Sequence, residues 1–119
     1  MSQVVWITGA SGGIGVEVAK LLAQKGWTIV ASARDGENLE RTTSGIEGIH
    51  ILPVDVTDEV AMRNVANQIK SEYGRLDGFV HAVGSILLRP LHATSLDQFQ
   101  DTLNLNLTSA FIAMKYSVP

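Results

Sequence analysis

The sequence predicts a single α/β domain built on a parallel sheet with helices on both faces. Three observations predict it. Short apolar, β-branched runs alternate with stretches of helical periodicity, the runs lack the polar alternation of a half-solvated strand, and a glycine-rich turn joins the first run to the first helix. Parallel strands need crossovers, and right-handed crossover helices then cover the sheet on its two sides.

Taken in order, "QVVWIT" is a strand and "GASGGIG" has the flexibility of a turn. From there Ile14, Val18, Leu21 and Leu22 fall on one face of a helix, with Gly26 as a left-handed cap after Lys25. "WTIVASA" reads as a second strand. The polar "RDGENLERTTSGIEG" leaves room for one short helix before "IHILPVDV", a third strand. Thr57 has the position of the next N-cap, with Asp58 and Glu59 in a first turn where the helix dipole favours negative charge. Met62, Val65, Ala66 and Ile69 then share a face up to Gly74. "LDGFVHAVG" is a fourth strand, and "SLDQ" at Ser95 to Gln98 has the form of a capping box opening a further helix.

Two periods compete in "TLNLNLTSAF". Leu103, Leu105 and Leu107 alternate with polar residues as in a strand, whereas Phe99, Leu103, Leu107, Phe111 and Met114 repeat at helical spacing. The longer window favours a helix, irregular near the asparagines. No repeat, low-complexity tract or linker divides residues 1–119, so one domain is expected.

Composition narrows the function. With 45% apolar and 18% charged residues the chain buries a real core. A net charge of -3, mixed along the chain without a Lys/Arg run, argues against nucleic acid or an acidic membrane as partner. There is no Cys, and His50, His81 and His92 stand too far apart in sequence for the close pair spacings of metal sites, so no metal is expected. No basic leader precedes Val4 and no apolar run is long enough to span a bilayer, from which a cytoplasmic protein is expected.

The chemistry is carried first by "TGASGGIG" between strand and helix. One glycine permits the reversal off the strand, another clears the space where backbone approaches a pyrophosphate, and a third lets helix and strand pack closely. The helix N-terminus offers free N–H groups and the positive end of its dipole to the phosphates. A nucleotide site is expected there.

This spacing, Thr-Gly-x-x-x-Gly-x-Gly, resembles the short-chain dehydrogenase/reductase family, and the resemblance runs through the whole chain. Thr8, Gly9, Gly13, Ile14 and Gly15 meet the loop pattern, within which Ser11 also falls. "DVTD" resembles the family's acidic contact to adenine, placing Asp55 and Val56 at the cofactor. "HAVG", which is His81, Ala82, Val83 and Gly84, stands where the family has Asn-Asn-Ala-Gly, and "NLTSAF" resembles the helix with the catalytic-site asparagine, here Asn106. The resemblance implies a Rossmann-like fold of strand order 3-2-1-4, with cofactor contacts at Gly9, Ser11, Gly13, Ile14, Gly15, Arg34, Asp55, Val56, His81, Ala82 and Gly84. The loss of an amide at position 82 removes a side chain that commonly ties the fourth strand to its neighbours. For His81, a packed ring with one hydrogen bond is expected over a proton-transfer role, since no acid or base adjoins it in sequence.

The second strand ends "VASARD". Ala33 occupies the place of the acid that binds ribose hydroxyls in NAD-dependent members, and Arg34 follows where NADP-preferring members carry a cation for the 2′-phosphate. NADP is therefore expected over NAD, with Asp35 as the one residue against it.

The family's acid/base pair is a Tyr followed four residues later by Lys. Tyr73 is followed at that spacing by Asp77, Tyr116 has only three residues after it, and "KY" at Lys115 and Tyr116 has the wrong order, so these read as helix surface. The resemblance thus implies the cofactor-binding half of an NADP-dependent oxidoreductase acting on a carbonyl or alcohol. On this reading residues 1–119 are an incomplete domain without the family's C-terminal strands, inactive alone and prone to self-association. A non-catalytic dinucleotide-binding or interaction module is the alternative, and a nucleotide-sugar epimerase a more distant one.

Overall fold

The computed structural model describes residues 2–118. Its elements are β1 (Val4–Thr8), α1 (Gly13–Gln24), β2 (Thr28–Ser32), α2 (Gly36–Thr43), β3 (Ile49–Ile51), α3 (Glu59–Tyr73), β4 (Gly78–His81), a 3-10 turn (Leu91–Ala93), α4 (Leu96–Leu103), a π turn (Asn104–Thr108) and α5 (Ser109–Ser117). The strands are parallel in the order β3-β2-β1-β4, as the family resemblance implied.

Alternation along β1 divides the core in two. Val4 and Trp6 point to the face covered by α3 and α5, where they meet Val30, Met62, Val65, Ile69, Ile112 and Ala113. Val5 and Ile7 point to the other face, against Ala19, Ile29, Ala31 and Leu39 under α1 and α2. Every residue of β1 is buried, which is the property of a central parallel strand. Trp6 also joins strands through side chains. Its indole Nε1–H donates to Ser32 Oγ (2.9 Å), the Ser32 hydroxyl donates to the Leu52 carbonyl (2.6 Å), and the ring packs edge-on to Phe79 at 4.9 Å. A buried indole of this kind contributes about 3–5 kcal/mol relative to alanine.

Two features differ from expectation, and a third bears one out. The third and fourth strands are shorter than "IHILPVDV" and "LDGFVHAVG". Beyond Ile51 the backbone still bonds β2, from Leu52 N to Ala31 O and from Val54 N to Ala33 O, but Pro53 between them has no N–H to extend a ladder. The N-cap of α3 is Asp58, whose carboxylate accepts from Ala61 N (3.1 Å), and not Thr57. Thr57 is instead drawn back to Asp55, whose Oδ1 accepts both its amide (2.9 Å) and its hydroxyl (2.7 Å). The apolar repeat Phe99, Leu103, Leu107, Phe111 and Met114 is helical, as expected, and irregular at the asparagines, where the π turn lies; it is exposed, while Ser109, Ile112 and Ala113 form the buried side of α5.

β1 and β4 are fastened at both ends. At the start, Asp77 accepts the Val4 amide (2.7 Å) and a two-point contact from Arg75 (2.7 and 2.6 Å), which holds its carboxyl below the usual range through hydrogen bonding to Arg75 first and Val4 second. At the other end the loop after β1 closes on the loop after β4. A Cβ on Gly9 would lie 2.3 Å from the Ala82 carbonyl oxygen, and one on Gly15 would lie 2.1 Å from the Gly9 carbonyl oxygen. Gly9 also adopts a left-handed φ of 68°. By contrast Gly12 is extended (φ -170°) and faces open space. Gly13 faces open space too, but its φ of 57° means that valine there costs backbone strain as well as helix propensity.

Gly9→Ala is therefore expected to lose at least about 1–2 kcal/mol from the left-handed backbone alone, with the carbonyl clash added. Gly12→Ala should unfold within about 0.5 kcal/mol of the parent chain. Paired thermal melts check this, and equal melting of the two variants would contradict the loop packing described.

Candidate dinucleotide site

The C-terminal ends of β1, β2 and β4 open onto a cleft of about 220 Å³ bordered by Gly9, Ser11, Arg34, Asp55, Ala82 and Gly84. Val56 borders the same cleft, and Gly13, Ile14 and His81 border a neighbouring hollow that shares Ala82 and Gly84 with it. The fold thus gathers residues from four loops that lie far apart in sequence, at the place where the crossovers from β1 and β3 leave in opposite directions. Gly15 is not on this surface. It is buried under the Gly9 carbonyl and serves the close packing of helix on strand.

The helix at this cleft is capped differently from α2, α3 and α4. Asp35, Asp58 and Ser95 each accept an amide of the helix they open, α2, α3 and α4, and the Ser95–Gln98 pair forms the full capping box. α1 begins at Gly12 with no side-chain cap and no acidic residue in its first turn. Its first N–H groups and positive dipole end are left for an outside acceptor. With open space over Gly12 and Gly13, this cradle fits the pyrophosphate of a dinucleotide.

At the end of β2, Arg34 lines the cleft, and among the described residues neither ion pair involves it. Asp35 is committed to α2, accepting Asn38 N at 3.1 Å. The acid that weighed against a phosphate beside Arg34 is therefore occupied with the helix. Asp55 is held by Thr57. The hydroxyl and then the amide of Thr57 keep its carboxyl below the usual carboxylate range, with a smaller contribution from the Arg34 charge.

Beyond β4 the segment to Ser85 is tied to the π turn. Asn106 Oδ1 accepts Ser85 N (2.9 Å), and Nδ2 donates to Thr102 O (2.9 Å) and Ser85 Oγ (3.3 Å). Its side chain is thereby spent on holding the backbone beside the cleft, and its carboxamide oxygen lies 3.1 Å from where a Gly84 Cβ would stand. His81 makes two close contacts where one was expected. Nδ1 meets Thr8 Oγ1 at 2.7 Å and Nε2 meets Ser109 Oγ at 3.0 Å. Ser109 was missed in the sequence, because a serine inside an apolar helix carries no local sign of a partner on a strand 28 residues away. Tyr116 and Lys115 both reach Glu59 Oε2, at 3.0 and 3.1 Å, and cross-link α5 to the start of α3. Tyr73 packs against His50 at 5.7 Å, and burial raises its pKa.

Comparison with known proteins agrees with this geometry. The short chain dehydrogenase family matches residues 3–119. An uncharacterized oxidoreductase, YxjF of Bacillus subtilis, is 36% identical over 98% of this chain and 47% of its own length. The 2,3-dihydro-2,3-dihydroxybenzoate dehydrogenase of the same organism is 35% identical over 95% of this chain and 45% of its own. Among solved structures, ElxO with NADP bound superposes with a TM-score of 0.91 at 30% identity, covering 99% of this chain and 50% of that one. A short-chain dehydrogenase from Streptomyces avermitilis superposes with a TM-score of 0.94 at 25% identity, over 100% and 44%. The chain spans about half the length of the curated relatives it matches. With the glycine loop, the strand order and the match over residues 3–119 in agreement, the chain belongs to the short-chain dehydrogenase family.

Proposed function

We propose that residues 1–119 are the NADP-binding part of an oxidoreductase acting on a small carbonyl or alcohol substrate, and that the rest of the catalytic machinery lies in sequence beyond this part. The observation that carries the reading is the uncapped N-terminus of α1, which opens with Gly12 and Gly13 clear on the cleft while α2, α3 and α4 are closed by their own side chains. The cofactor, when bound, would give a hydride as NADPH to a substrate carbonyl carbon, or accept one as NADP+ from a substrate alcohol carbon.

The chain's own residues bind and orient. Amides of the glycine loop and of α1 receive the phosphates, the Asp55 and Val56 segment takes the adenine end, and Ala82 and Gly84 line the cleft from the end of β4. Arg34 receives the 2′-phosphate. Asn106 belongs to the catalytic end, where its carboxamide fixes the segment at Gly84 and Ser85 against the π turn. The family's Tyr and Lys have no counterpart in the described residues, since Tyr116 bonds Glu59 and Tyr73 packs on His50. The relatives' greater length supports a placement of those groups in further sequence.

NADP(H) should bind more tightly than NAD(H), and Arg34→Ala should abolish the difference. A charge-assisted hydrogen bond contributes about 1.5–3 kcal/mol, or roughly ten- to a hundredfold in affinity. Calorimetric titration of both cofactors checks this, and equal wild-type affinities would refute the assignment of Arg34.

The 119-residue chain by itself should show no turnover with a panel of ketones and aldehydes, because general acid/base catalysis at the substrate oxygen contributes about a hundred- to ten-thousandfold. It should also sediment as dimers or larger. β4 is an edge strand in this sheet, half-buried and without Lys or Pro, and Phe99, Leu107, Phe111 and Met114 are exposed on the helical segments that follow it. Analytical ultracentrifugation and NADPH oxidation assays test the two points. A monomer that binds dinucleotide without turnover in any longer form of the protein would favour the non-catalytic module instead.

A further inference from the structure

His81 joins the two halves of the site through hydroxyl groups that have few other choices. Thr8, the residue before the glycine loop, and Ser109, the residue after the π turn, are both fully buried. The Ser109 hydroxyl donates to the Leu105 carbonyl, inside the turn, while its backbone N–H donates to Asn104 O. With its own proton so placed, Ser109 Oγ receives one from His81 Nε2, 3.0 Å away. Nδ1 is then bare and accepts the Thr8 hydroxyl at 2.7 Å. Donor counting favours Thr8 to His81 to Ser109 to Leu105, through a neutral ring protonated at Nε2, because the other tautomer would leave the Thr8 hydroxyl only the 3.5 Å contact to the Val80 carbonyl and would take the Ser109 proton away from Leu105.

A second proton on the ring reverses one link. Nδ1–H would face the Thr8 oxygen, and the Thr8 hydroxyl would have to turn to the Val80 carbonyl, which lies at 3.5 Å, the outer limit of a hydrogen bond. From β1 the ring meets Thr8, from α5 Ser109 and within β4 the stacked Phe79, and it borders a hollow with Gly12, Gly13 and Ile14 of the loop and α1. None of these is charged. Burial alone lowers its pKa, with no carboxylate contributing to offset it.

We propose that His81 is a positioning residue, whose neutral imidazole couples the dinucleotide loop to the turn carrying Asn106 and whose protonation uncouples them. The consequence for the cofactor rests on the dinucleotide reading above, but the coupling itself does not. When the ring is neutral, Thr8 is held from the far side of Gly9 and the turn is held through Ser109, so the loop and Asn106 keep one relative position. The folded chain binds the second proton less readily than the unfolded chain. Stability from the neutral ring is therefore fully present above the unfolded value of about 6.5 and is lost as pH falls from there through the lower folded-state pKa.

The test uses the nucleotide-free chain labelled with 15N, followed by NMR from pH 8 to pH 5. Above pH 7 the His81 ring should show a bare Nδ1 and a protonated Nε2, and the amide signals of Gly9 and Asn106 should move with the same midpoint as the ring. His81→Phe keeps the ring volume beside Phe79 and should abolish both amide responses. Ser109→Ala cuts the chain on one side and should abolish the response at Asn106 while keeping that at Gly9. A proton on Nδ1 above pH 7, or amides at Gly9 and Asn106 that ignore the His81 titration, would overturn the proposal. NADPH affinity at pH 8 should fall about five- to tenfold in His81→Phe, equivalent to one net hydrogen bond. Unchanged affinity would remove the link to the cofactor. Failure of the wild-type chain to bind any dinucleotide would instead overturn the reading of the cleft, and the amide titrations then decide the coupling by themselves.

Discussion

The approach of the Gly9 backbone to the Ala82 carbonyl is the constraint on which the site depends. It leaves no room for a β-carbon, since one would stand 2.3 Å from that oxygen. It brings the loop after β1 against the loop after β4 and, with Gly15 beneath the Gly9 carbonyl, it sets how deeply α1 can dock. The cleft, the free amides of α1 and the segment that Asn106 holds all follow from that contact. The glycines of the loop are thus of two kinds. Gly9 and Gly15 are needed because protein atoms come too close, whereas Gly12 and Gly13 face open space.

Polar groups in this fold are arranged to leave some unmet. Each side chain able to cap a helix is used at α2, α3 and α4, and among the described residues no buried side-chain nitrogen or oxygen lacks a partner. Asp35 caps α2, Asp55 binds Thr57, Ser32 joins Trp6 to Leu52, and Thr8 and Ser109 share His81. Against this background α1 lacks a side-chain cap and, among the described residues, Arg34 lacks an ion pair, both on the cleft. Donors without acceptors gathered at one end of a parallel sheet describe an anionic ligand more specifically than the shape of the cleft does.

Much of the fold could be read locally. Apolar runs against helical periods predicted the order of the elements, the glycine spacing predicted the loop, and Ser95 with Gln98 predicted a capping box. One N-cap was misplaced where two local signals were of equal strength. Thr57 and Asp58 are both N-cap residues by type, and the choice fell to Asp58 because Asp55 captures Thr57 through two hydrogen bonds. In "NLNLT" the strand and helix periods clashed, and the chain resolved the clash with a π turn that lets Ser109 bond two successive carbonyls, of Asn104 and Leu105.

The sequence by itself determined the fold class, the glycine loop and the family, because strand and helix periods and steric demands at single glycines are properties of neighbouring residues. Only the tertiary structure decided what His81 and Ser109 do. Their partners are chosen by strand pairing and helix docking: Thr8 and Ser109 flank His81 only because β4 lies beside β1 under α5, and a hydrogen bond across that distance leaves no mark on the residues between. It also decided which apolar residues face outward, since Phe99, Leu107 and Phe111 match the buried Ile112 in hydrophobicity and differ only in the side of the helix that the sheet happens to cover.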